Sequence, residues 1–136
     1  MEPGYLLVEV HPERTGTVRL VRSPQAPSPQ SPRLRFCARF EDVDAALMHA
    51  HEGLRRCLVD VDRRLYRSSV TTAVAVVEAV ELPHRRTYLH PDLDADPILE
   101  ATIARLHARH RRWDRIFNGV GIGALILLIV LSVLRI

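Results

Sequence analysis

Two histidines and an aspartate near the end of the chain have the side chains and the spacing of a metal site. His107, His110 and Asp114 stand at positions i, i+3 and i+7, which fall within about a 60° sector of a helix. Two imidazoles and one carboxylate form a known transition-metal ligand set. Five arginines share the same short segment: Arg105, Arg109, Arg111, Arg112 and Arg115. Because their charge opposes a bound cation, we expect no metal ion here and interpret the histidines as interfacial groups with pH-dependent charge.

The two cysteines are the other side chains with obvious chemistry. Cys57 falls on the apolar stripe of a predicted helix, where a thiol is normally inert. Cys37 alternates with arginines along a predicted strand, and neighbouring positive charge would lower the pKa of its thiol. No histidine is placed beside either thiol by spacing, so we expect no enzyme and no catalytic residues. Two unpaired thiols also fit a reducing compartment.

A group of small residues points to contact between helices rather than to chemistry. Gly119 and Gly123 have GxxxG spacing, which lets two helix backbones approach closely in lipid. Each glycine costs a helix about 1 kcal/mol relative to alanine. We therefore predict a lateral contact through Gly119, Gly121, Gly123 and Ala124, although glycine is also common in membrane helices that make no such contact. No strand precedes these glycines, so they do not predict a dinucleotide loop, and we expect no cofactor.

The glycines lie inside a stretch that has the length of a membrane span. Residues 116–134 carry no charge, and nineteen helical residues extend about 28 Å, close to the hydrocarbon thickness of a bilayer. We predict that residues 116–136 form a C-terminal tail anchor. Arginines concentrate before this stretch, which places the preceding residues in the cytoplasm, by default that of a bacterium with the anchor in its inner membrane. The expected interfacial anchors, which could meet anionic lipid headgroups, are Arg109, Arg112, Trp113 and Arg115.

The charge of the chain is carried by arginine alone. All 19 cationic residues are arginines, and the formal net charge is +3. Four of them are predicted to share the outer face of a sheet as a basic patch: Arg19, Arg33, Arg35 and Arg39. Such a patch is either a solvated face or a surface for an acidic protein or lipid. Nucleic acid is not an expected partner, because no stacking aromatic side chain is interleaved with these arginines.

The elements that must position these residues are those of an α+β domain. Residues 5–10 and 17–22 predict a hairpin, and residues 23–32 form a flexible loop rich in proline, serine and glutamine. In residues 33–40, the alternation predicts a strand with Leu34, Phe36, Ala38 and Phe40 facing the core. An apolar stripe from Val43 to Leu65 predicts one long helix, with Asp42 or Glu41 as its N-cap. We interpret residues 69–82 as a fourth strand, although their alanines and glutamates would also suit a helix, and residues 83–96 as a loop.

The predicted fold is therefore a small antiparallel sheet of about four strands covered by one long amphipathic helix. A second helix begins at Pro97, capped by Asp96, and continues into the single membrane span. The divisions are a cytoplasmic domain over residues 1–95, a juxtamembrane amphipathic helix over 96–115 and the anchor over 116–136. The apolar stripe of the juxtamembrane helix either docks on the domain or pairs with another chain.

These features predict a non-catalytic accessory or adaptor subunit of a larger membrane complex, which contacts an integral membrane partner through its glycines. The alternative is a self-associating, homodimeric regulator or sensor. A membrane-tethered enzyme fits least well.

Overall fold

The computed structural model describes residues 1–135, which form two compact units. The first unit is Met1–Ile103, and the second begins at Ala104. A single helix, α4 (Pro97–Leu134), starts in the first unit and accounts for most of the second. The Asp96 carboxylate accepts a hydrogen bond from the Ile98 amide at 2.9 Å, which confirms the predicted cap. The helix then continues without a break to Leu134, as predicted.

A six-stranded antiparallel sheet forms the body of the first unit, in the order β4-β5-β2-β1-β3-β6. The strands are β1 (Gly4–Val10), β2 (Thr17–Ser23), β3 (Leu34–Phe40), β4 (Leu58–Asp60), β5 (Leu65–Arg67) and β6 (His84–Leu89). The predicted α+β class is confirmed, and so is the hairpin of β1 and β2. The prediction of about four strands is wrong by two.

Three further helices accompany the sheet: α1 (Val43–Leu54), α2 (Val70–Glu78) and the short α3 (Pro91–Asp94). α1 begins where predicted, because the Asp42 carboxylate accepts a hydrogen bond from the Ala45 amide at 3.1 Å. α1 and α2 pack against the same face of the central strands, and Leu6, Val8 and Phe36 are fully buried beneath them. We call this the helix face and the opposite side the outer face.

The long helix predicted over residues 43–65 ends early. α1 stops at Leu54, a 3₁₀ turn (Arg55–Cys57) follows, and the chain then forms the β4–β5 hairpin. The tight turn depends on the Asp60 carboxylate, which accepts from the Arg63 amide, and on Arg64, which has a positive φ of 52°. Leu65, which continued the apolar stripe in sequence, is instead buried as a strand residue opposite Arg19.

The interpretation of residues 69–82 as a strand is wrong, because most of this segment is α2. The Ser69 hydroxyl accepts from the Thr72 amide at 3.1 Å and caps the helix. Ala73, Val74, Ala75 and Val77 are fully buried, and at about 100° per residue they cover more than half of the circumference of α2. Tertiary packing against α1 and the sheet therefore outweighs the strand preference of valine and threonine.

The loop predicted over residues 83–96 also contains regular structure. β6 pairs with β3 at one edge of the sheet, and α3 follows with Pro91 at its start and His90 as its cap. β6 has the sequence HRRTYL, which lacks an apolar alternation because an edge strand is only partly covered. A β-bulge in β6 interrupts the pairing further, because Cys37 pairs with Tyr88 and Ala38 pairs with Arg86, so Thr87 has no partner on β3.

The proline-rich segment crosses the outer face of the sheet. β2 and β3 both run antiparallel to β1 and flank it, so residues 24–33 must return along the length of β1. α1 and α2 occupy the helix face, which leaves the outer face for this crossover. A buried cluster, which we call the outer cluster, lies on that face: Leu7, Leu34 and Cys37, with Tyr5, Val21 and Tyr88 packed around them.

A β-bulge puts Leu34 in the outer cluster rather than on the helix face. Val8 pairs with Phe36, but the next residue of β1, Glu9, pairs with Leu34, so Arg35 has no partner on β1. The extra residue reverses the alternation on one side of the bulge. The expected common face of Leu34, Phe36, Ala38 and Phe40 is thus correct only from Phe36 onward.

Candidate functional site

The glycines of α4 are sterically open. A Cβ atom built on Gly119, Gly121 or Gly123 would have no atom of the described chain within 4 Å beyond the helix itself. Ala124 is also exposed. At about 100° per residue, Gly119 and Gly123 lie within about 40° of each other, whereas Gly121 lies on roughly the opposite side. The four predicted contact residues therefore do not share one side, and the pair available to a single neighbouring helix is Gly119 with Gly123.

This part of α4 is the candidate membrane span. Among residues 1–135, one helix, Pro97–Leu134, is long and apolar enough to cross a membrane, and its most apolar window is not buried within the chain. Apolar side chains such as Ile122, Leu128 and Val133 are each at least 60% exposed. Such a surface in water would be unfavourable by about 25 cal/mol per Å², so these residues are consistent with a single-pass membrane protein.

An aromatic pair precedes the span. The rings of Trp113 and Phe117, one helical turn apart, stack with centroids 5.9 Å apart and an interplanar angle of 30°. Trp113 is 51% exposed and Phe117 is 67% exposed. The predicted anchors Arg109, Arg112 and Arg115 are exposed as well, so all four predicted anchor residues are accessible to lipid or to another chain.

The predicted basic patch is spread over the outer face. Arg19 lies opposite Glu9, whereas Arg39 lies opposite Tyr5, four residues earlier on β1. Arg35 donates to the Pro32 carbonyl at 2.8 Å, and Arg33 is exposed at the end of the crossover. Arg39 therefore lies apart from Arg19, Arg33 and Arg35, which are near the other end of β1.

A direct cross-strand pairing of arginines on this face involves Arg85, which was not among the predicted patch residues. Arg85 of β6 lies directly opposite Arg39, and both side chains are exposed. The signal was present in the sequence as His84-Arg85-Arg86, but a segment predicted to be a loop has no defined cross-strand neighbours. Like charges in direct opposition are unfavourable without an anion between them.

Cys37 lies on the predicted strand face but is not accessible there. Its side chain is fully buried in the outer cluster, and this burial raises the pKa of the thiol, while a hydrogen bond with Thr87 acts in the opposite direction. The expected lowering by neighbouring arginines is therefore not observed. Cys57 is half-buried, and both thiols are free.

The histidines have local partners. Nδ1 of His51 lies 2.6 Å from the Tyr66 hydroxyl, and burial raises the pKa of that tyrosine, opposed by the charge of Arg64. His84 stacks on Phe40 with ring centroids 4.7 Å apart. In the part of the chain that the structure describes, no three His, Cys, Asp or Glu side chains are arranged to hold a metal ion.

A charged cluster ties β6 to two helices of the first unit. The Arg86 guanidinium donates to the Glu78 carboxylate at 3.0 Å and lies 3.7 Å from Glu100. The hydrogen bond with Glu78 is the main reason that the pKa of Arg86 is raised. His84 lies 3.9 Å from the same glutamate. This cluster connects the end of α2 to the first turn of α4, so its role is structural.

Comparison with known proteins adds no relative: no protein-family model matches the chain, and no curated protein or solved structure matches it significantly.

Proposed function

We propose that the protein is a single-pass, membrane-anchored accessory or adaptor subunit of a larger membrane complex, and that it is not an enzyme. The observation that carries the proposal is the open face at Gly119 and Gly123 within the candidate span. Leucine or alanine would anchor a helix equally well without the cost of glycine, whereas a close helix–helix contact requires small residues. The first unit then stands in the cytoplasm, where its exposed surfaces contact soluble parts of the complex.

The burial and the hydrogen bonds of the potential catalytic side chains support a non-catalytic role. Cys37 is fully buried, and the raised pKa of its thiol makes the nucleophilic thiolate scarce at neutral pH. His51 is engaged by Tyr66. Cys37 is therefore not presented at the surface, and His51, which is half-buried, contributes to the packing of the first unit through Tyr66.

The charges before the span favour a different partner over a second copy. Arg105, Arg109 and Arg112 lie within about 60° of one another on the helix, on the same side as Gly119 and Gly123. A parallel homodimer through the glycines would bring these arginines of both copies together, and like charges repel. A hetero-association avoids this repulsion, so we place the homodimeric regulator second.

Replacement of the glycines tests the proposal. The double variant Gly119→Ile with Gly123→Ile adds bulk to the proposed contact, whereas Gly121→Ile adds the same side chain on roughly the opposite side. We expect gentle detergent extraction and native mass measurement to recover a larger complex with the unsubstituted protein and with Gly121→Ile, but only the isolated chain with the double variant.

Two outcomes would contradict this proposal. Recovery of the same complex with the double variant would show that Gly119 and Gly123 do not form the contact with the partner. A clean dimer of the unsubstituted chain, dissociated by the double variant, would support the self-associating regulator instead.

A further inference from the structure

The segment of α4 before the candidate span has a basic half. At about 100° per residue, its five arginines fall within an arc of about 160°; they are Arg105, Arg109, Arg111, Arg112 and Arg115. All five are exposed. None has an ion pair or hydrogen bond within residues 1–135, in contrast to Arg22 and Arg86 of the first unit, which have carboxylate partners.

The rest of this segment has the composition of a helix at lipid headgroup depth. Trp113 and Phe117, with their stacked rings, lie outside the basic half. Tryptophan side chains such as Trp113 concentrate at membrane–water interfaces. Arginines beside them extend their aliphatic stems along the hydrocarbon and place their guanidinium groups among the headgroups. The uncharged stretch begins at Ile116, three residues after Trp113.

We infer that the basic half of α4 binds the phosphate groups of anionic phospholipids. This inference rests on the proposed membrane anchoring. The arginines span an arc of about 160° around α4, which is wider than the strip that one neighbouring helix covers. Lipid headgroups can reach every side of the helix that no protein covers, so they fit this width better. Clusters of four to eight basic residues directly beside a span are attracted to anionic leaflets, and guanidinium groups match phosphate oxygens with paired hydrogen bonds. An acidic segment of a partner protein is the competing occupant.

The single tryptophan gives a direct readout. Trp113 is the only tryptophan of the chain, so its fluorescence reports on lipids around this segment alone. The full-length protein is reconstituted in bilayers that contain phosphatidylcholine and phosphatidylglycerol in a fixed ratio, with bromine atoms on the acyl chains of either one lipid or the other. We expect brominated phosphatidylglycerol to quench more strongly, corresponding to about a twofold or greater local enrichment. The excess should decrease as salt is added.

Matched variants distinguish an effect of the basic half from an effect of the total positive charge of the protein. Arg109→Gln, Arg112→Gln and Arg115→Gln together should bring the two brominated lipids to equal quenching. The control variant removes three exposed arginines of the first unit, Arg14→Gln, Arg33→Gln and Arg39→Gln, and should keep the excess. Both variants keep Trp113 and the candidate span.

Three results would overturn the inference. Equal quenching by both lipids with the unsubstituted protein would show that the segment is embedded but does not select anionic lipid, while the proposed anchoring would stand. No quenching by either lipid would contradict the anchoring as well. Loss of a co-purified partner from the Arg109, Arg112 and Arg115 variant, without any change in lipid quenching, would assign the basic half to an acidic protein.

Discussion

The reactivity of Cys37 depends on the side chains that surround it in the fold, not on those beside it in the sequence. Its neighbours in sequence are an aromatic, an alanine and arginines, which suggested a thiol beside positive charge. Its neighbours in space are Leu7, Leu34 and Tyr88. The pleat predicted which face the side chain is on, but its neighbours on β1 and β6 are visible only from the strand order and register.

The Cys37 thiol should therefore be protected in the folded protein. In a Cys57→Ser variant, which leaves one thiol, we expect a disulfide reagent to react with Cys37 at least tenfold more slowly than in denaturant, because reagents need an exposed thiolate. The measurement is absorbance of the released thiol with time. Equal rates in the two conditions would show that the outer cluster is open.

Alkaline pH should weaken the first unit. The pKa values of Cys37 and Tyr66 are both raised by burial, so these groups release their protons more readily in the unfolded chain. The unfolded state then binds fewer protons, and stability decreases as pH rises. We expect the denaturation midpoint to fall above about pH 9, the ordinary value for the thiol, and the fall to be smaller in a Cys37→Ala variant. A midpoint that rises with pH would contradict the burial of these groups.

The ion pair of Arg86 should contribute measurably to stability. Only 14% of the Glu78 side chain is exposed, so Arg86→Ala leaves a mostly buried carboxylate without its main donor, at a cost of about 1–3 kcal/mol. Denaturant titration of the full chain in detergent measures this free energy of unfolding. Arg85→Ala is the control. The Arg85 side chain is exposed on the outer face, and surface substitutions change stability by only about 0.5 kcal/mol. If the two substitutions lower the free energy of unfolding equally, the Arg86–Glu78 pair does not contribute specifically to stability.

Among the elements, those with strong local signals were predictable and those fixed by distant contacts were not. The Asp42 cap, the β1–β2 hairpin and the start of α4 depend on residues a few positions apart. The β4–β5 hairpin, α2 and β6 depend on pairing with strands or helices elsewhere in the first unit. The exposed glycines and the arginine-rich segment were visible in the sequence, but the Arg39–Arg85 pairing required the register of β3 and β6.

The contact of α1 with α2 limits what Gly53 can become. A Cβ atom at this position would lie 2.6 Å from Cγ1 of Val76, and the branched valine has little rotamer freedom in a helix. Gly53→Ala would otherwise favour α1 by about 1 kcal/mol. We expect overpacking to outweigh this gain, with a net loss of about 1–2 kcal/mol.

Addition of Val76→Ala to Gly53→Ala provides the control, because it removes the opposing methyl groups. The double variant should recover the stability lost by Gly53→Ala, as measured by thermal or denaturant unfolding. If Gly53→Ala alone stabilises the protein, the two helices are farther apart than described.

For the whole molecule, the proposed anchoring by α4 can be tested through localisation. The full chain should remain with membranes after extraction at alkaline pH, whereas a chain that ends at Arg115 should be released, because the uncharged stretch supplies the hydrophobic free energy of insertion. Retention of the shortened chain would mean that the first unit attaches to the membrane by other contacts. Protease protection in sealed vesicles then tests the proposed cytoplasmic side of the first unit.

The two edges of the sheet acquire a further meaning if the chain is anchored. Proteins confined to a membrane meet one another far more often than in solution, and an unpaired strand is a template for edge-to-edge aggregation. β4 offers only three residues, while β6 is preceded by Pro83, carries a pair of arginines and is interrupted by a bulge. Each device blocks the addition of another strand. We therefore expect the first unit to resist polymerising through its sheet when it is crowded on a membrane surface.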